Sequence, residues 1–439
     1  MKVTIISPPF PFTGRVPMVP PILEYLGALT IEAMPDVELD LLDANIHEPR
    51  AEEIDADIVC ISAMTATVNW VYQFADSLRE LGRKVVLGGI HPTALHLEAK
   101  EHADSVVVGE AESVWLQVLS DAAQGTLKPF YHGERLPLDN QPMPYTSFDR
   151  SPYRFRAVFT ARGCPYRCSF CSVRKFFGDT MRYRPIHEVV EEVENHTGKV
   201  YFNGDDNIWG GDIERSIELF TALSKGSKKR WYGFGDLRAP QSPKGDEMLK
   251  AARASGLFSV WMGWETSSGD VLDNYHAGTK QGRNREDAIK KIKSYGIDVV
   301  LFVVLGGRHD TPEDFDNALE LAKRLGVGVH PVLLTPLPGT ELYDEYKPYL
   351  IKERGWEYYT GVNAVFEHPD PGMTPFAREK KYYKTSLELL SLPRILSHLT
   401  EIPWSGFPMT HLLSLMKQFP MRRAMKKAYK EWKVRENNS

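Results

Sequence analysis

This chain of 439 residues has few cysteines, no net positive charge and no long apolar run. Its four cysteines are too few for a disulfide framework at this length. Lys and Arg total 53 against 58 for Asp and Glu, so the net charge of -5 offers no global basic field for nucleic-acid phosphates. The most apolar stretch, residues 299–307, is about half the roughly 20 residues that cross a bilayer. These shortages argue against a disulfide scaffold, a nucleic-acid partner and a membrane-spanning segment.

The N-terminus also lacks a targeting signal. Its first apolar run is short, is broken by Pro8 and Pro9, and has neither the apolar core nor the cleavage site of a signal peptide. We therefore expect a cytoplasmic protein. Apolar residues make up 42% and charged residues 25% of the chain, which is ordinary globular composition, and the length predicts two or three domains.

Short apolar runs alternate with helical patterns over about the first 125 residues. Parallel strands need crossover connections, so this alternation predicts a doubly wound parallel α/β sheet of the flavodoxin-like, Rossmann type. Ligands of such sheets bind at the C-terminal ends of the strands. We predict five strands, at Val3–Ile6, Leu39–Leu42, Ile58–Ile61, Val85–Leu87 and Val106–Val108.

A proline-bearing connector, roughly residues 136–152, leads to a second strand and helix series. Six units are too few to close an eight-fold barrel but enough for an open, partial (β/α)6 barrel with its chemistry at the C-terminal rim. We therefore divide the chain into domains of residues 1–135, 150–345 and 346–439, the last of them a small helical cap. The predicted barrel strands are Arg156–Thr160, Val200–Asn203, Trp231–Gly235, Ser259–Gly263, Val299–Leu305 and Val329–Leu334.

Three of the four cysteines fall within eight positions at the end of the first barrel strand. Cys164, Cys168 and Cys171 have the spacing C-x3-C-x2-C, and three thiolates can bind three corners of a 4Fe-4S cluster. The fourth cysteine, Cys60, lies in an apolar strand of the other domain, where core packing is expected. One iron should therefore stay open. A zinc site is the alternative, but zinc usually draws on a second ligand pair, and none follows nearby.

The triad resembles the motif of the radical S-adenosylmethionine (SAM) superfamily, C-x3-C-x-aromatic-C, with Phe170 as the aromatic residue. This resemblance implies that Cys164, Cys168 and Cys171 bind a 4Fe-4S cluster whose open iron chelates the methionyl group of SAM. It further implies one-electron cleavage of SAM to a 5′-deoxyadenosyl radical. Phe170 would lie against the adenine.

Three further strand ends resemble SAM-binding segments of the same superfamily. Residues 203–207, Asn-Gly-Asp-Asp-Asn, resemble the segment whose acid binds the methionyl ammonium, since a carboxylate can accept charge-assisted hydrogen bonds there. Residues 263–266, Gly-Trp-Glu-Thr, resemble a Gly-x-Glu-Ser segment that reaches the ribose, and residues 305–308 resemble a Gly-x-Pro-Gly turn or a simple turn. The implied SAM-binding residues are Asp206, with Asp205 as the second choice, Asn207, Glu265 and Thr266.

Residues 88–93 and 103–110 closely resemble the cobalamin-binding domain that precedes many radical SAM barrels. Glycines at these turns would let the backbone approach a flat ligand closely. A flavodoxin-like domain that has lost its cofactor is the alternative. The implied cobalamin-binding residues are Ser62, Met64, Thr65, Gly88, Gly89, His91, Gly109 and Glu110.

The motif D-x-H-x-x-G, whose histidine coordinates cobalt in many cobalamin proteins, is absent, because Asp43 and His47 have the wrong spacing. The resemblance therefore implies base-off cobalamin without a histidine lower ligand, with its lower face against the loop of Ser62, Met64 and Thr65. His91 is expected to pack or to hydrogen-bond near the ligand rather than to bind cobalt.

Together the resemblances cover about residues 1–345 and suggest hopanoid and bacteriochlorophyll-type C-methylases as relatives. They imply a cobalamin-dependent radical SAM methyltransferase, in which the 5′-deoxyadenosyl radical activates a substrate C-H bond and methylcobalamin delivers the methyl group. The alternatives are a cyclase or ring-rearranging enzyme without methyl transfer, and a non-catalytic iron-sulfur scaffold protein. The implied partners are a large, partly apolar small-molecule substrate and an external one-electron reductant such as flavodoxin or ferredoxin.

Residues 417–435 interleave basic and apolar side chains, which predicts a basic amphipathic helix broken near Pro420. Such a helix can lie on an anionic membrane surface. The alternative is a docked terminal helix with a solvated basic face. The apolar positions of this segment and its flank are Leu415, Phe419, Met421, Met425, Tyr429 and Trp432.

Overall fold

A computed structural model describes residues 1–10, 18–147, 153, 155–226, 228–266, 284–401 and 408–438, with no side chains described for 408–417 or 436–438. Two six-stranded parallel sheets follow one another along the chain, and helices at the C-terminal end pack on the second sheet. The predicted α/β class, with a doubly wound first sheet, an open second sheet and a helical end, is confirmed.

The first sheet has the strand order β2-β1-β3-β4-β5-β6, whose first five strands follow the flavodoxin order. All five predicted strands are present, and a sixth, three residues long, follows them. The strands are β1 Lys2–Ser7, β2 Glu38–Asp43, β3 Ile58–Ser62, β4 Lys84–Gly88, β5 Ser105–Val108 and β6 Phe130–His132. The helices are α1 Pro21–Ala33, α2 Val68–Glu80, α3 Ile90–Ala94, α4 His96–Glu101 and α5 Trp115–Ala123.

Helices cover both faces of this sheet, so its strands are apolar on both sides, as expected for a parallel sheet. Val59 and Ile61 face one helical layer, and Ile58 and Cys60 face the other. Cys60 is only 3% exposed, and burial raises the pKa of its thiol. Its predicted role in core packing is confirmed.

The second sheet has the order β7-β10-β11-β12-β13-β14, all parallel. Its two outer strands do not pair with each other in the described residues, so the barrel is open as predicted. The strands are β7 Ala157–Val158, β10 Val200–Asn203, β11 Arg230–Gly235, β12 Leu257–Glu265, β13 Asp298–Leu305 and β14 Gly328–Leu333, with an antiparallel ribbon of β8 Ala161–Arg162 and β9 Arg182–Tyr183. The helices are α6 Val173–Phe177, α7 Ile186–Asn195, α8 Ile213–Lys225, α9 Gly245–Ala254, α10 Arg285–Ser294 and α11 Pro312–Leu325.

Helix α11 shows how local sequence places these layers. Thr311 and Asp314 form a capping box at its start, and Pro312 occupies the first helical position, where no amide donor is needed. Phe315, Ala318 and Leu321 follow at helical spacing and are buried against the sheet. Spacing of this kind buries one face of the helix and leaves the opposite face to solvent.

The C-terminal region adds the helices α12 Glu341–Tyr346, α13 Pro375–Leu389, α14 Leu392–Glu401 and α15 Pro408–Asn438. Trp432 of α15 is 3% exposed within the barrel core, and its Nε1 donates to Glu379 Oε2 at 2.6 Å. Met425 and Tyr429 pack against the same core. The apolar face of the predicted amphipathic helix is therefore docked over residues 425–432, whereas the side chains of Leu415 and Lys417 lie outside the described residues. The predicted break near Pro420 is wrong, because the helix continues through this residue. In the part of the chain that the structure covers, no helix is long and apolar enough to span a membrane.

Candidate cofactor sites

The ribbon of β8 and β9 closes the loop that carries the three cysteines. Cys164, Cys168 and Cys171 are all partly exposed, and the amide of Cys171 donates to the carbonyl oxygen of Cys168 at 3.1 Å. Burial raises the pKa of Cys164 to about 11 and that of Cys171 to about 12. Both are therefore neutral thiols in the metal-free protein, and binding of iron must release their protons.

The three thiols are close enough for their charges to interact. Nevertheless, no group of three or more His, Cys, Asp or Glu side chains among the described residues is already arranged to hold a metal ion. We expect cluster binding to draw the thiols together. The donor set itself fits an iron-sulfur cluster, because three cysteines stand on one short loop with an aromatic residue beside them.

Contacts from the C-terminal region hold the cysteine loop from outside. The amide of Leu342 donates to the carbonyl oxygen of Ser169 at 3.0 Å. Cys168 and Phe170 pack at the edge of a hydrophobic cluster that includes Tyr346 and Phe366. Phe170 is thus half-buried beside the triad, and its predicted contact with adenine stays a prediction.

Asp205 and Asp206 are neighbours with different surroundings. Asp205 is almost fully buried and accepts hydrogen bonds from the amides of Thr160 and Ala161, at 2.6 and 3.0 Å, and from the Thr160 hydroxyl. It ties the end of β10 to the segment that leads to the triad. Asp206 instead lies close enough to Cys164 and Cys171 to act on their pKa values. This geometry favours Asp206 as the acid that faces the SAM site.

Burial, together with the charge of Asp205, raises the pKa of Asp206 to about 7. Burial likewise raises the pKa of Asp205 to about 6, against the effect of its three hydrogen bonds. A ligand ammonium beside Asp206 would favour the ionised form and offset this cost.

Asn207, predicted to bind SAM, is committed to other protein groups. Its Nδ2 donates to Asp236 Oδ2 at 2.9 Å, and its Oδ1 accepts from the amide of Trp209 at 3.4 Å. Asp236 also accepts from the amides of Arg238 and Ala239. Asn207 therefore connects the ends of β10 and β11, and any ligand contact would be additional to this role.

Glu265 has an unusual backbone at the end of β12. It is buried with φ of 63°, in the left-handed region, beside an irregularity in the pairing with β13. Non-glycine residues held there cost of order 1–3 kcal/mol and cluster at functional sites. The Arg285 guanidinium stacks on Trp264 at 3.6 Å from the ring centroid and donates to the carbonyl oxygen of Thr266 at 3.2 Å. These contacts hold Glu265 and Thr266 at the barrel rim, where the ribose contact was predicted.

The turn at residues 305–308 is held by the protein's own contacts. The amide of Gly307 donates to Asp310 Oδ2 at 3.0 Å. The carbonyl oxygen of Gly306 accepts from buried Arg378 at 3.1 Å, and that of Gly307 accepts from His368 at 3.0 Å. Both readings of this segment, a SAM-contacting turn and a simple turn, are compatible with these bonds.

The loop after β3 forms a single 3-10 turn, Thr65–Thr67, which follows Ser62 and Met64. Met64 is 45% exposed at this sheet edge, so a flat corrin face laid on the loop would cover apolar surface there. Gly89 has φ of 98°, and a Cβ there would lie 2.7 Å from Ser62 Oγ. Glycine at this position is required by the packing of two protein loops, which differs from the expected close approach to a ligand.

His91 is completely buried, and both of its ring nitrogens have protein partners. Nδ1 lies 3.2 Å from Thr65 Oγ1 and Nε2 lies 3.2 Å from Glu98 Oε1. The ring also meets Trp356 edge to face, with centroids 5.0 Å apart. His91 thus packs and hydrogen-bonds within the cobalamin-type domain, as expected.

Glu110 forms ion pairs with the other domain, a contact that the sequence did not indicate. Its carboxylate accepts from Arg162 Nη1 at 2.9 Å and from both terminal nitrogens of Arg182. Glu110 lies two residues after β5 of the first domain, whereas the two arginines belong to the ribbon that closes the cysteine loop. The carboxylate, predicted to bind cobalamin, is therefore engaged in a link between the two domains.

A second link was also missed. Trp356, from the C-terminal region, donates through Nε1 to Glu98 Oε1 at 3.1 Å, and the neighbouring Glu357 accepts from Asn69. Trp356 thereby covers His91 next to the Thr65–Thr67 turn. The aromatic run at residues 356–359 was the only signal for it, and its partner lies 258 residues away in the chain.

The inner face of the second sheet is largely aromatic. Neighbouring ring centroids lie 5.0–5.9 Å apart, from Tyr232 and Phe234 through Trp261 to Phe302 and His330. These side chains are partly exposed, whereas outward-facing residues of the same strands are fully buried. Barrel interiors are usually filled by branched aliphatic residues. This sheet instead presents a wall of rings below the rim that carries the cysteine loop.

Comparison with known proteins agrees with both halves of this arrangement. Residues 18–119 match the B12 binding domain family, and residues 158–322 match the radical SAM superfamily. Bacteriochlorophyllide d C-12(1)-methyltransferase of Chlorobaculum tepidum is 29% identical over 71% of this chain and 70% of its own. The C-8(2)-methyltransferase of the same organism is 27% identical over 84% and 86%.

The fold also matches a solved structure, that of the radical SAM methyltransferase TsrM from Kitasatospora setae with tryptophan and a SAM analogue bound. The TM-score is 0.70 at 16% identity, over 100% of both chains. The two matched families together span more than half of the 439 residues, in the order in which the two sheets occur. The chain therefore belongs to the B12-binding radical S-adenosylmethionine enzymes, whose cofactors are a 4Fe-4S cluster, SAM and cobalamin.

Proposed function

We propose that this enzyme is a cobalamin-dependent methyltransferase that adds a methyl group to a carbon atom of a large, partly apolar small molecule. The observation that carries the proposal is the Glu110 ion pair, which places the C-terminal edge of the cobalamin-type sheet against the ribbon of the cysteine loop. The methyltransferase names of the relatives support the same reaction. Such an arrangement suits an enzyme that must use both cofactors on one substrate.

When bound, the cluster and SAM supply a radical that removes hydrogen from carbon, and cobalamin supplies the methyl group. Cys164, Cys168 and Cys171 would hold the cluster through three thiolates. Asp206 would accept the methionyl ammonium, since it is the acid beside the thiols. Glu265, held in the left-handed backbone at the rim, would accept from the ribose.

On the opposite side, the loop of Ser62, Met64 and Thr65 would meet the lower face of base-off cobalamin. His91 would support that loop through its bond to Thr65 rather than bind cobalt.

The aromatic wall supports a large apolar substrate. Rings prefer offset or edge-to-face contacts at centroid distances of about 4.5–7 Å, and the spacing of Tyr232, Trp261 and Phe302 allows a flat or extended apolar molecule to lie along several of them. An external one-electron reductant is needed as well, because the proposed chemistry consumes an electron for each radical formed.

The test is anaerobic reconstitution with iron, sulfide and hydroxocobalamin, then reduction in the presence of SAM and chromatography for 5′-deoxyadenosine and S-adenosylhomocysteine. Cys168→Ala should lose the cluster absorbance and both products, because one of three iron ligands is gone. Cys60→Ala is the matched control, since it removes a buried thiol far along the chain and should keep the cluster. Any loss of stability in Cys60→Ala should come from packing in the first sheet alone.

Three results separate the candidate functions. Both products, with bound cobalamin, support methyl transfer, and a candidate substrate should then gain the mass of one methyl group. Deoxyadenosine without S-adenosylhomocysteine would favour a cyclase or ring-rearranging enzyme. Neither product, in protein confirmed to hold a reduced cluster, would refute catalysis and leave an iron-sulfur scaffold protein.

A further inference from the structure

We propose that Glu110 is a positioning residue that fixes the cysteine loop against the cobalamin-binding sheet and so sets the spacing between the two cofactors. The proposal rests on the family's cofactors, and only one of its tests relies on the proposed methyl transfer. Glu110 touches neither reacting centre and acts through two arginines.

The geometry is that of a strong, desolvated ion pair. The Glu110 side chain is 3% exposed, and Arg182 approaches it with two terminal nitrogens while Arg162 adds a third donor. Planar guanidinium groups that pair with a carboxylate through two bonds define orientation as well as distance. The carboxylate therefore fixes both the position and the angle of the ribbon.

The ribbon depends on an anion supplied by the other domain. Arg162 and Arg182 are directly paired across β8 and β9, and like charges opposite each other destabilise a strand pair. Glu110 pairs with both, and Glu112 adds a contact to Arg162 at 2.6 Å. Two positive charges thus meet two negative ones, and both negative charges come from the loop that follows β5. The ribbon is well held only when the first domain is in place.

The ribbon leads directly to the chemistry. Arg162 is two residues before Cys164, and it is close enough to Asp206 to stabilise its charge. Arg182 also donates to the carbonyl oxygen of Leu136 at 2.6 Å, in the connector between the domains. A shift of the ribbon would therefore move the first cluster ligand and the proposed SAM acid together, relative to the cobalamin-binding edge.

The first test is hydrogen exchange of the cofactor-free chain. Glu110→Gln places an amide donor against two arginines and should speed exchange in residues 161–183 and 109–112. Arg182→Lys keeps the charge but loses the two-pronged contact, so it should give a smaller increase. Glu38→Gln is the control, since it removes an ion pair to Lys2 at 3.3 Å in the same sheet, from a side chain that is 71% exposed.

The second test uses reconstituted protein with cob(II)alamin and the reduced cluster. The fast-relaxing cluster spin shortens the relaxation time of the cobalt spin, and this effect should weaken in Glu110→Gln but not in Glu38→Gln. Methylated product should then fall about 10²-fold, the loss expected from a displacement near 1 Å, without a comparable fall in 5′-deoxyadenosine.

Unchanged exchange and unchanged spin relaxation in Glu110→Gln would overturn the proposal. An equal loss of deoxyadenosine and methylated product would also overturn it, because Glu110 would then only maintain the fold. If wild-type protein methylates nothing while the relaxation effect still depends on Glu110, the proposed reaction fails and the positioning role stands.

Discussion

Replacing Asp205 and Asp206 one at a time by alanine should change the stability of the cofactor-free protein in opposite directions at pH 8. The two residues are adjacent, acidic and at the same strand end, so a comparison of the two variants controls for position and composition. Their difference lies in their partners, since Asp205 accepts three hydrogen bonds and Asp206 faces the thiols.

Asp205→Ala leaves two backbone amides and the Thr160 hydroxyl without their acceptor. Each buried donor left unpaired costs roughly 1–3 kcal/mol, so the three donors together cost about 3–9 kcal/mol. Removal of a carboxylate whose pKa is raised to about 6 returns at most about 3 kcal/mol at pH 8, so we expect a net loss of about 3–4 kcal/mol. For a domain of this size the loss corresponds to a fall of about 10 °C in Tm.

Asp206→Ala removes a carboxylate that is costly to ionise. The pKa of Asp206 rises from 3.8 to about 7 on folding, so the folded state binds the proton more tightly than the unfolded chain does. Stability from this group is therefore fully present below about pH 4 and is lost as pH rises to about 7. At about 1.4 kcal/mol per unit the loss at pH 8 is at most about 4 kcal/mol. After the lost contacts are subtracted, the free energy of unfolding of Asp206→Ala should exceed that of the wild type by about 1–2 kcal/mol at pH 8. At pH 4 it should be lower by a similar amount.

The assay is thermal unfolding of the cofactor-free variants at pH 4 and pH 8, followed by tryptophan fluorescence, with calorimetry of SAM binding to reconstituted protein at pH 8. Asp206→Ala should abolish SAM binding while the fold is kept. If Asp205→Ala is silent and Asp206→Ala is strongly destabilising at both pH values, the assignment of the two acids is wrong. If Asp206→Ala binds SAM normally, its role at the ammonium is wrong.

Three further predictions concern docking of the electron donor, packing of the C-terminal helix and contact with membranes. Residues 161–178 contain four basic residues and no acidic one, which favours docking of an acidic electron donor here. Arg167→Glu combined with Lys175→Glu should therefore slow cluster reduction by an acidic flavodoxin at low salt, but not by cationic reduced methyl viologen. Equal effects on both donors would refute this docking surface. Because Trp432 is docked in the barrel core, Trp432→Ala should cost about 3–5 kcal/mol. Full-length protein should float no more with anionic liposomes than a variant in which the exposed Lys426, Lys427 and Lys430 are replaced by glutamine. Flotation of the full-length chain alone would indicate membrane contact through Lys426, Lys427 and Lys430.

Much of the architecture follows from local pattern. The apolar runs predicted eleven strands that the structure contains, because a strand buried on both faces is marked by its own residues. The sixth strand of the first sheet, Phe130–His132, is too short to give such a signal. The first barrel strand, predicted as Arg156–Thr160, pairs with its neighbour only over Ala157–Val158, because Thr160 and Ala161 bond to Asp205 instead.

The features of the site also divide into those that a local sequence pattern marks and those that depend on distant residues. The cysteine spacing and the paired acids are local signals, and each is visible in a few consecutive residues. The ion pairs of Glu110 and the hydrogen bond from Trp356 to Glu98 join residues that are 52 to 258 positions apart, and one sequence carries no record of such pairings. The left-handed backbone of Glu265 likewise depends on the pairing of two neighbouring strands rather than on its own residue type.

The hydrogen bond between Trp356 and Glu98 has a consequence for how the protein is made. Domains near the N-terminus fold first during synthesis, so the cobalamin-type sheet can form while the residue that covers His91 has not yet left the ribosome. The cysteine loop is likewise synthesised before Leu342, which supports it from outside. We therefore expect cofactor loading to follow release of the complete chain, and expression of the first domain alone to leave His91 without the ring that covers it.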